Sequence, residues 1–244
     1  MATLPAPVRR QEYWAFGLAM IAGYVDGFGL LTFKTFLSFM SGNTTQVGST
    51  IGRGAFAPAV YPAIAIVFFV IGVFAGNVLQ HTGARQSRRL ALAGVGTLLL
   101  LIVAGTNLGS LPHSVAIAAI SFAMGIMNTT LSHVGSESVN LTFVTGTLNR
   151  IGRHLALGAM RIPLDDSQGP WDTQLRRAFV LSCLWTDFLS GAALAGIVTP
   201  RLAGWTLLPP ATILLISASF GRTRSRAAVV PVPHWIDGRS VNYK

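Results

Sequence analysis

Residues 13–33 read YWAFGLAMIAGYVDGFGLLTF, one acid in an otherwise uncharged apolar run. About twenty such residues in an α-helix cross the roughly 30 Å of hydrocarbon in a bilayer. The stretch therefore reads as a membrane span, and it sets the reading of everything around it. Five further stretches have the same character: 59–79, 90–108, 114–131, 178–199 and 202–220. Numbered from an N-terminus on the inner side, the inner segments hold Arg9, Arg10, Arg85, Arg88, Arg89, Arg150, Arg153, Arg161, Arg176, Arg177, Arg222, Arg224, Arg226, Arg239 and Lys244. The outer segments hold only Lys34, Arg53 and Arg201. That split is the positive-inside pattern, with both termini expected in the cytoplasm.

Composition agrees with this class. The chain is 51% hydrophobic and 11% charged, against about 25% charged in an average soluble domain. Its net charge of +10 is spread over helix ends and short loops. This argues against nucleic acid and for anionic lipid at the cytoplasmic face as the partner of the basic residues. Cys183 is the single cysteine, so no intramolecular disulfide is expected. No cleavable signal peptide is read at the start, and the first span is expected to remain. Six spans in 244 residues leave no room for a soluble catalytic domain. Residues 1–220 are expected to form one transmembrane domain, and 221–244 a basic, disordered cytoplasmic tail.

The chain can be laid over itself. Phe39-Met40-Ser41-Gly42-Asn43-Thr44-Thr45-Gln46-Val47-Gly48 matches Phe143-Val144-Thr145-Gly146-Thr147-Leu148-Asn149-Arg150-Ile151-Gly152 without a gap. Upstream, Gly23-Tyr24-Val25-Asp26 matches Gly125-Ile126-Met127-Asn128 after a two-residue slip. Downstream, Phe69 and Gly72 match Phe188 and Gly191 once an insertion near 163–171 is allowed. Each copy has three spans, about 13–108 and 114–220. An odd number of spans inverts the second copy, an arrangement shared by many transporters. The expected architecture is all-α, with six transmembrane helices as two inverted three-helix repeats. Each repeat carries one short polar half-helix, in 35–54 and in 139–158. Such a segment is either re-entrant, with its N-terminus facing a central cavity, or interfacial, lying on the headgroups.

The run Gly23-Tyr24-Val25-Asp26-Gly27, Ser41-Gly42-Asn43-Thr44, Gly125-Ile126-Met127-Asn128 and Thr145-Gly146-Thr147-Leu148 resembles the bacterial membrane proteins called YoaK-like, the domain of unknown function 1275. The resemblance covers about residues 13–220. Ser41 stands where that family commonly has Thr, and Met127 where Gln is common. The resemblance implies a six-helix integral membrane protein of the bacterial inner membrane and no settled activity.

Asp26 is the sharpest candidate. A carboxylate in hydrocarbon must face the interior and find a partner or a proton, with Asn128 the expected partner. Asp187, mid-span in the fifth helix, is either a second coupling group or a polar tie between helices. Ser41, Asn43, Thr44 and Thr45, with Thr145, Gly146 and Thr147, either surround a polar solute at two half-helix N-termini or are ordinary caps. Gly23-xxx-Gly27 and Gly72-xxx-Gly76 read as close helix packing. His81, His113, His133 and His154 are expected at interfaces, with no metal spacing. Tyr13, Trp14, Tyr61 and Trp205 read as interfacial anchors. No P-loop, G-x-S-x-G, H-E-x-x-H or paired cysteine occurs, so neither an enzyme nor a cofactor is expected. The function this favours is secondary transport of a small polar or anionic solute, with Asp26 as the candidate proton-coupling group. A channel is its near neighbour. The rivals are a non-transporting scaffold or sensor, with oligomers allowed, and a membrane enzyme, which needs Asp26 and Asp187 within about 5–10 Å of each other.

Overall fold

A computed structural model describes residues 5–82, 86–109, 111–130, 133–134, 137–138 and 144–220; the expected tail at 221–244 lies outside them. The regular structure among the described residues is helical, apart from a two-residue antiparallel pairing of β1 (His133–Val134) with β2 (Glu137–Ser138). The helices are α1 (Ala6–Phe33), α2 (Met40–Gly52), α3 (Val60–His81), α4 (Ser87–Leu108), α5 (His113–Thr129), α6 (Val144–Ala159), α7 (Gln174–Leu202) and α8 (Leu208–Phe220). Four of them, α1, α3, α4 and α7, lie in segments long and apolar enough to cross a membrane. The stretches expected as spans at 114–131 and 202–220 are shorter apolar helices. At 17 residues, α5 is about 25 Å long at ~1.5 Å per residue.

The late start of α8 has a local cause. Ala203 adopts a left-handed φ of 44° and ends α7. A 3-10 turn over Ala203–Trp205 follows, and Gly204 there closes onto the Asn107 side chain. Pro209 and Pro210 then sit in the first turn of α8, where a missing N–H costs nothing.

Contacts along the helices give their directions. α1 and α7 run parallel. Glu12 pairs with Arg176 near both N-terminal ends, and a Cβ added to Gly23 would run into the carbonyl oxygen of Phe188. From the other side, a Cβ on Gly191 would strike the carbonyl of Met20. α3 and α5 also run parallel, with Gly72 against the carbonyl of Phe122 and Gly125 against that of Phe69. These backbones approach more closely than any residue with a side chain would allow. α4 and α8 are antiparallel. Arg89 donates to the carbonyls of Ala218 and Ser219, each at 2.7 Å, and Gly96 sits against Ala211 and Leu215. The end of α1 meets the start of α5 through Phe33 and His113, with ring centroids 5.3 Å apart.

The core draws on all these helices: Leu18 and Val25 of α1, Leu99 of α4, Met124 and Met127 of α5, Leu181 of α7 and Leu214 of α8. The outer surface is apolar too, as at Phe74 (70% exposed) on α3 and Phe179 (68%) on α7. Helices apolar on both faces belong in lipid.

Candidate functional site

Asp26 shapes the α1–α2 turn. α1 ends at Phe33 and Lys34 adopts a left-handed φ of 57°, which reverses the chain. Residues 35–39 then fold back along α1. Gly29 makes room, because a Cβ there would meet the Leu37 side chain and the Thr35 carbonyl. The returning segment reaches Asp26, which is 3% exposed. Oδ1 accepts from the backbone N–H groups of Leu37 (2.8 Å), Ser38 (2.6 Å) and Phe39 (3.4 Å), and Oδ2 from the Ser38 hydroxyl at 2.7 Å. Both carboxylate oxygens are thus engaged, Oδ1 by backbone N–H groups and Oδ2 by a side-chain hydroxyl. Asn128, the expected partner, makes no hydrogen bond to it.

Asn43 closes the same turn from the other side. It is fully buried and grips Phe36 at two points. Its Oδ1 accepts from the Phe36 N–H at 3.1 Å, and its Nδ2 donates to the Phe36 carbonyl at 2.7 Å. The rings of Phe36 and Phe39 pack edge to face over Gly42. Asp26 lies seven residues before Phe33 in the sequence, about 10 Å along the helix axis. The N-terminus of α2 is therefore held at that depth. Gln46, two turns on, reaches back to the Lys34 carbonyl at 3.3 Å.

The hydroxyls in the first turns of α2 are turned outward, whereas Thr50 near its end is buried. Ser41, Thr44 and Thr45 are exposed. Thr44 and Thr45 satisfy their hydroxyls on the carbonyls four residues back, Met40 and Ser41. In the second copy, Thr145 is exposed and Thr147 buried, as Ser41 and Asn43 are in the first. Residues 139–143 of the expected half-helix segment lie outside the described residues. Asn128 is half-buried, and its Oδ1 is enclosed with no hydrogen-bond partner among the described residues. Asp187 is half-buried on α7, one turn beyond Cys183, with no hydrogen bond or ion pair among the described residues. No described group of three or more His, Cys, Asp and Glu residues has the makings of a metal site.

Several polar ties escape a sequence reading. Ser38 has no motif to mark it, since its partner lies twelve residues away. His154, expected at an interface, has its side chain buried between helices. It is 5% exposed and binds Gln174 Oε1 through Nδ1 at 2.6 Å, joining α6 to α7. The amphipathic α6 buries that face, so its histidine goes inward. Arg177 is a buried arginine. It pairs with Asp172 through Nε at 2.9 Å and NH2 at 2.8 Å, and with Asp166 through NH1 at 3.0 Å. These pairs pin the insertion ahead of α7. Spacing gives a hint there, since Asp172 and Arg177 lie within two turns.

Comparison with known proteins places the chain. The family described as Protein of unknown function (DUF1275) matches residues 14–220. The UPF0700 transmembrane protein RA0705 of Rhizobium meliloti (strain 1021) is 29% identical over 205 residues, covering 83% of each chain. The UPF0700 transmembrane protein YoaK of Bacillus subtilis (strain 168) is 24% identical over 205 residues, 81% of this chain and 88% of that one. No solved structure matches. The match runs from within α1 to the end of α8, and the chain belongs to the DUF1275 family of membrane proteins.

Proposed function

We propose that this chain is a secondary transporter of a small polar or anionic solute, built from two inverted three-helix repeats. One observation carries the reading. The residues that match between the two halves of the sequence also occupy matching places at the helix crossings. Gly23 meets Phe188 where α1 crosses α7, and Gly125 meets Phe69 where α5 crosses α3. Gly191 and Gly72 make the reciprocal contacts. An in-plane pseudo-two-fold that exchanges α1 with α5 and α3 with α7 accounts for both crossings. On this reading α5 and α8 complete six crossings, and both termini lie inside. α2 enters from the outer side and α6 from the inner side. The depth of Asp26 favours a re-entrant α2 over an interfacial one. The two repeats rock against each other about the half-helix N-termini.

Asp26 links a proton to that movement. As a carboxylate it accepts three backbone N–H groups and a hydroxyl. A proton on the carboxyl takes away an acceptor position and the charge that strengthens these bonds. Protonation therefore loosens the turn that holds α2. We read the chain as non-enzymatic, because its sequence carries none of the P-loop, G-x-S-x-G, H-E-x-x-H or paired-cysteine motifs.

A scaffold or sensor is the second reading, favoured by how completely Asp26 and Asn43 are occupied. One experiment separates the two. In a Cys183→Ser background, Ser41→Cys and Thr145→Cys are exposed to a membrane-impermeant thiol reagent from each side. Transport predicts that both react from both sides. Reaction of each from one side only, or of neither, rejects alternating access and leaves the scaffold.

A further inference from the structure

The end of α6 and the first turns of α7 have a use that the transport reading does not absorb. α6 ends at Ala159, and Arg161 closes it with a left-handed φ of 54°. Its N–H bonds the Gly158 carbonyl at 3.1 Å, and the Ile162 N–H bonds that of Leu157 at 2.9 Å. Gly158 packs on Leu175, and Gln174 donates to the Ile162 carbonyl. This tight join brings the end of α6, with Met160 and Ile162 just beyond it, against the first turns of α7, which carry Leu175 and Phe179. All four are exposed, Met160 at 69% and Phe179 at 68%. Arg153, in the last turns of α6, and Arg161, just beyond its end, belong to the same join and are exposed, with no acid paired to either among the described residues. The neighbouring charges are mostly spoken for. Glu12 pairs with Arg176, and Asp166 and Asp172 pair with Arg177. Asp165, also exposed, is the remaining acid of the loop.

The matching end of α2 supplies a control built into the molecule. It too exposes large apolar side chains, Ile51, Phe56 and Val60. The match that sets Gly48 on Gly152 puts Ser49 opposite Arg153. The left-handed residue after α2 is Gly54, at φ 72°, the residue that tolerates this conformation best. The α6 end has an arginine in the left-handed position instead. The one guanidinium at the α2 end, Arg53, turns Nε back to the Ser49 carbonyl at 3.1 Å.

We propose that Arg153 and Arg161, with Met160, Ile162, Leu175 and Phe179, form a binding site for an anionic phospholipid of the leaflet at this end. The guanidiniums hold the headgroup phosphate, and the apolar band takes the start of an acyl chain. The positive-inside pattern makes that the inner leaflet.

Native mass spectrometry of the full chain tests this, with phosphatidylglycerol competing against phosphatidylcholine. The wild type is expected to retain phosphatidylglycerol at least tenfold more strongly, at roughly fivefold per guanidinium near a membrane surface. R153Q/R161Q should abolish most of that preference, and R53Q should leave it unchanged. Arg161→Gly separates binding from folding. Glycine suits the left-handed turn, so thermal stability should hold or rise while the preference falls. Equal retention of the two lipids by the wild type overturns the proposal, as does a preference that survives R153Q/R161Q. Displacement of the lipid by millimolar glycerol 1-phosphate also overturns it, since the site would then recognise a free phosphate ester.

Discussion

The α1–α2 turn and the end of α5 carry matched sequence, yet their polar groups are used in opposite ways. At the first, Asp26 is enclosed and saturated by the N–H groups of residues 37–39 and the Ser38 hydroxyl. At the second, Asn128 stands in the matching place with an enclosed Oδ1 that has no described partner. The backbone crossings beside them are nearly interchangeable, Gly23 on Phe188 and Gly125 on Phe69. A shared fold therefore does not require a shared polar site. The scaffold is set by small residues at crossings, and the chemistry by which polar group stands beside them, a carboxylate met by backbone donors or an amide oxygen with no partner among the described residues.

Asp26→Ala should break the comparison most severely. It strands the Leu37 and Ser38 N–H groups and the Ser38 hydroxyl in an apolar setting. The expected cost is roughly 3–5 kcal/mol, the range for removing one partner from a buried charged interaction. Unfolding in a dodecyl maltoside–SDS titration measures it. Asp26→Asn keeps one oxygen acceptor and should recover part of the loss. Unchanged stability in Asp26→Ala would mean that α2 is held by Asn43 and packing alone.

Gly23→Ala and Gly125→Ala come next. Each Cβ meets a backbone carbonyl that cannot swing aside. Overpacking of this kind typically costs about 1–3 kcal/mol. The two losses should agree within about 1 kcal/mol if the crossings are equivalent. A lethal Gly23→Ala beside a harmless Gly125→Ala would show that only the α1–α7 crossing is tightly set. Ser38→Ala should be milder, about 1 kcal/mol, because Asp26 keeps its backbone donors. A loss as large as that of Asp26→Ala would move the weight of the clamp onto the hydroxyl.

Much of the scaffold is legible before folding is considered. The four long helices stand out by apolar length, and the crossing glycines by their recurrence beside Phe69 and Phe188. The polar details are legible only in part. Asp26 is recognisable as a buried acid, but its partners are main-chain N–H groups that no side-chain pattern announces. Its reading as a partner of Asn128 fails for that reason. Asn43 draws notice as a possible cap, whereas it binds Phe36, which precedes the helix. His154 looks interfacial from its place near span ends. It is buried because α6 turns that stripe toward Gln174. The start of α8 is displaced by one left-handed residue, Ala203, a conformation that alanine seldom advertises. The hydrophobic pattern fixes which segments are helical, while the backbone reversals at Lys34 and Ala203 and the face that α6 buries decide where the polar atoms go.

Asn128→Leu gives the finest test of the two turns. In the first copy any loss of the acid strands donors. In the second, Oδ1 is enclosed with no partner among the described residues, so removing it relieves an unmet desolvation cost. Leu is of similar size and suits a helix facing Met124 and its neighbours. Stability should therefore change by less than about 1 kcal/mol, and an increase is the favoured sign. A loss above about 2 kcal/mol would mean that the amide finds donors in the folded protein in the bilayer. The α5–α6 turn would then be clamped as the α1–α2 turn is, and the contrast between the copies would shrink to a carboxylate against an amide. That outcome would favour transport. Two clamped half-helices, one sensitive to a proton and one indifferent to it, would let protonation move one repeat while the other stays fixed.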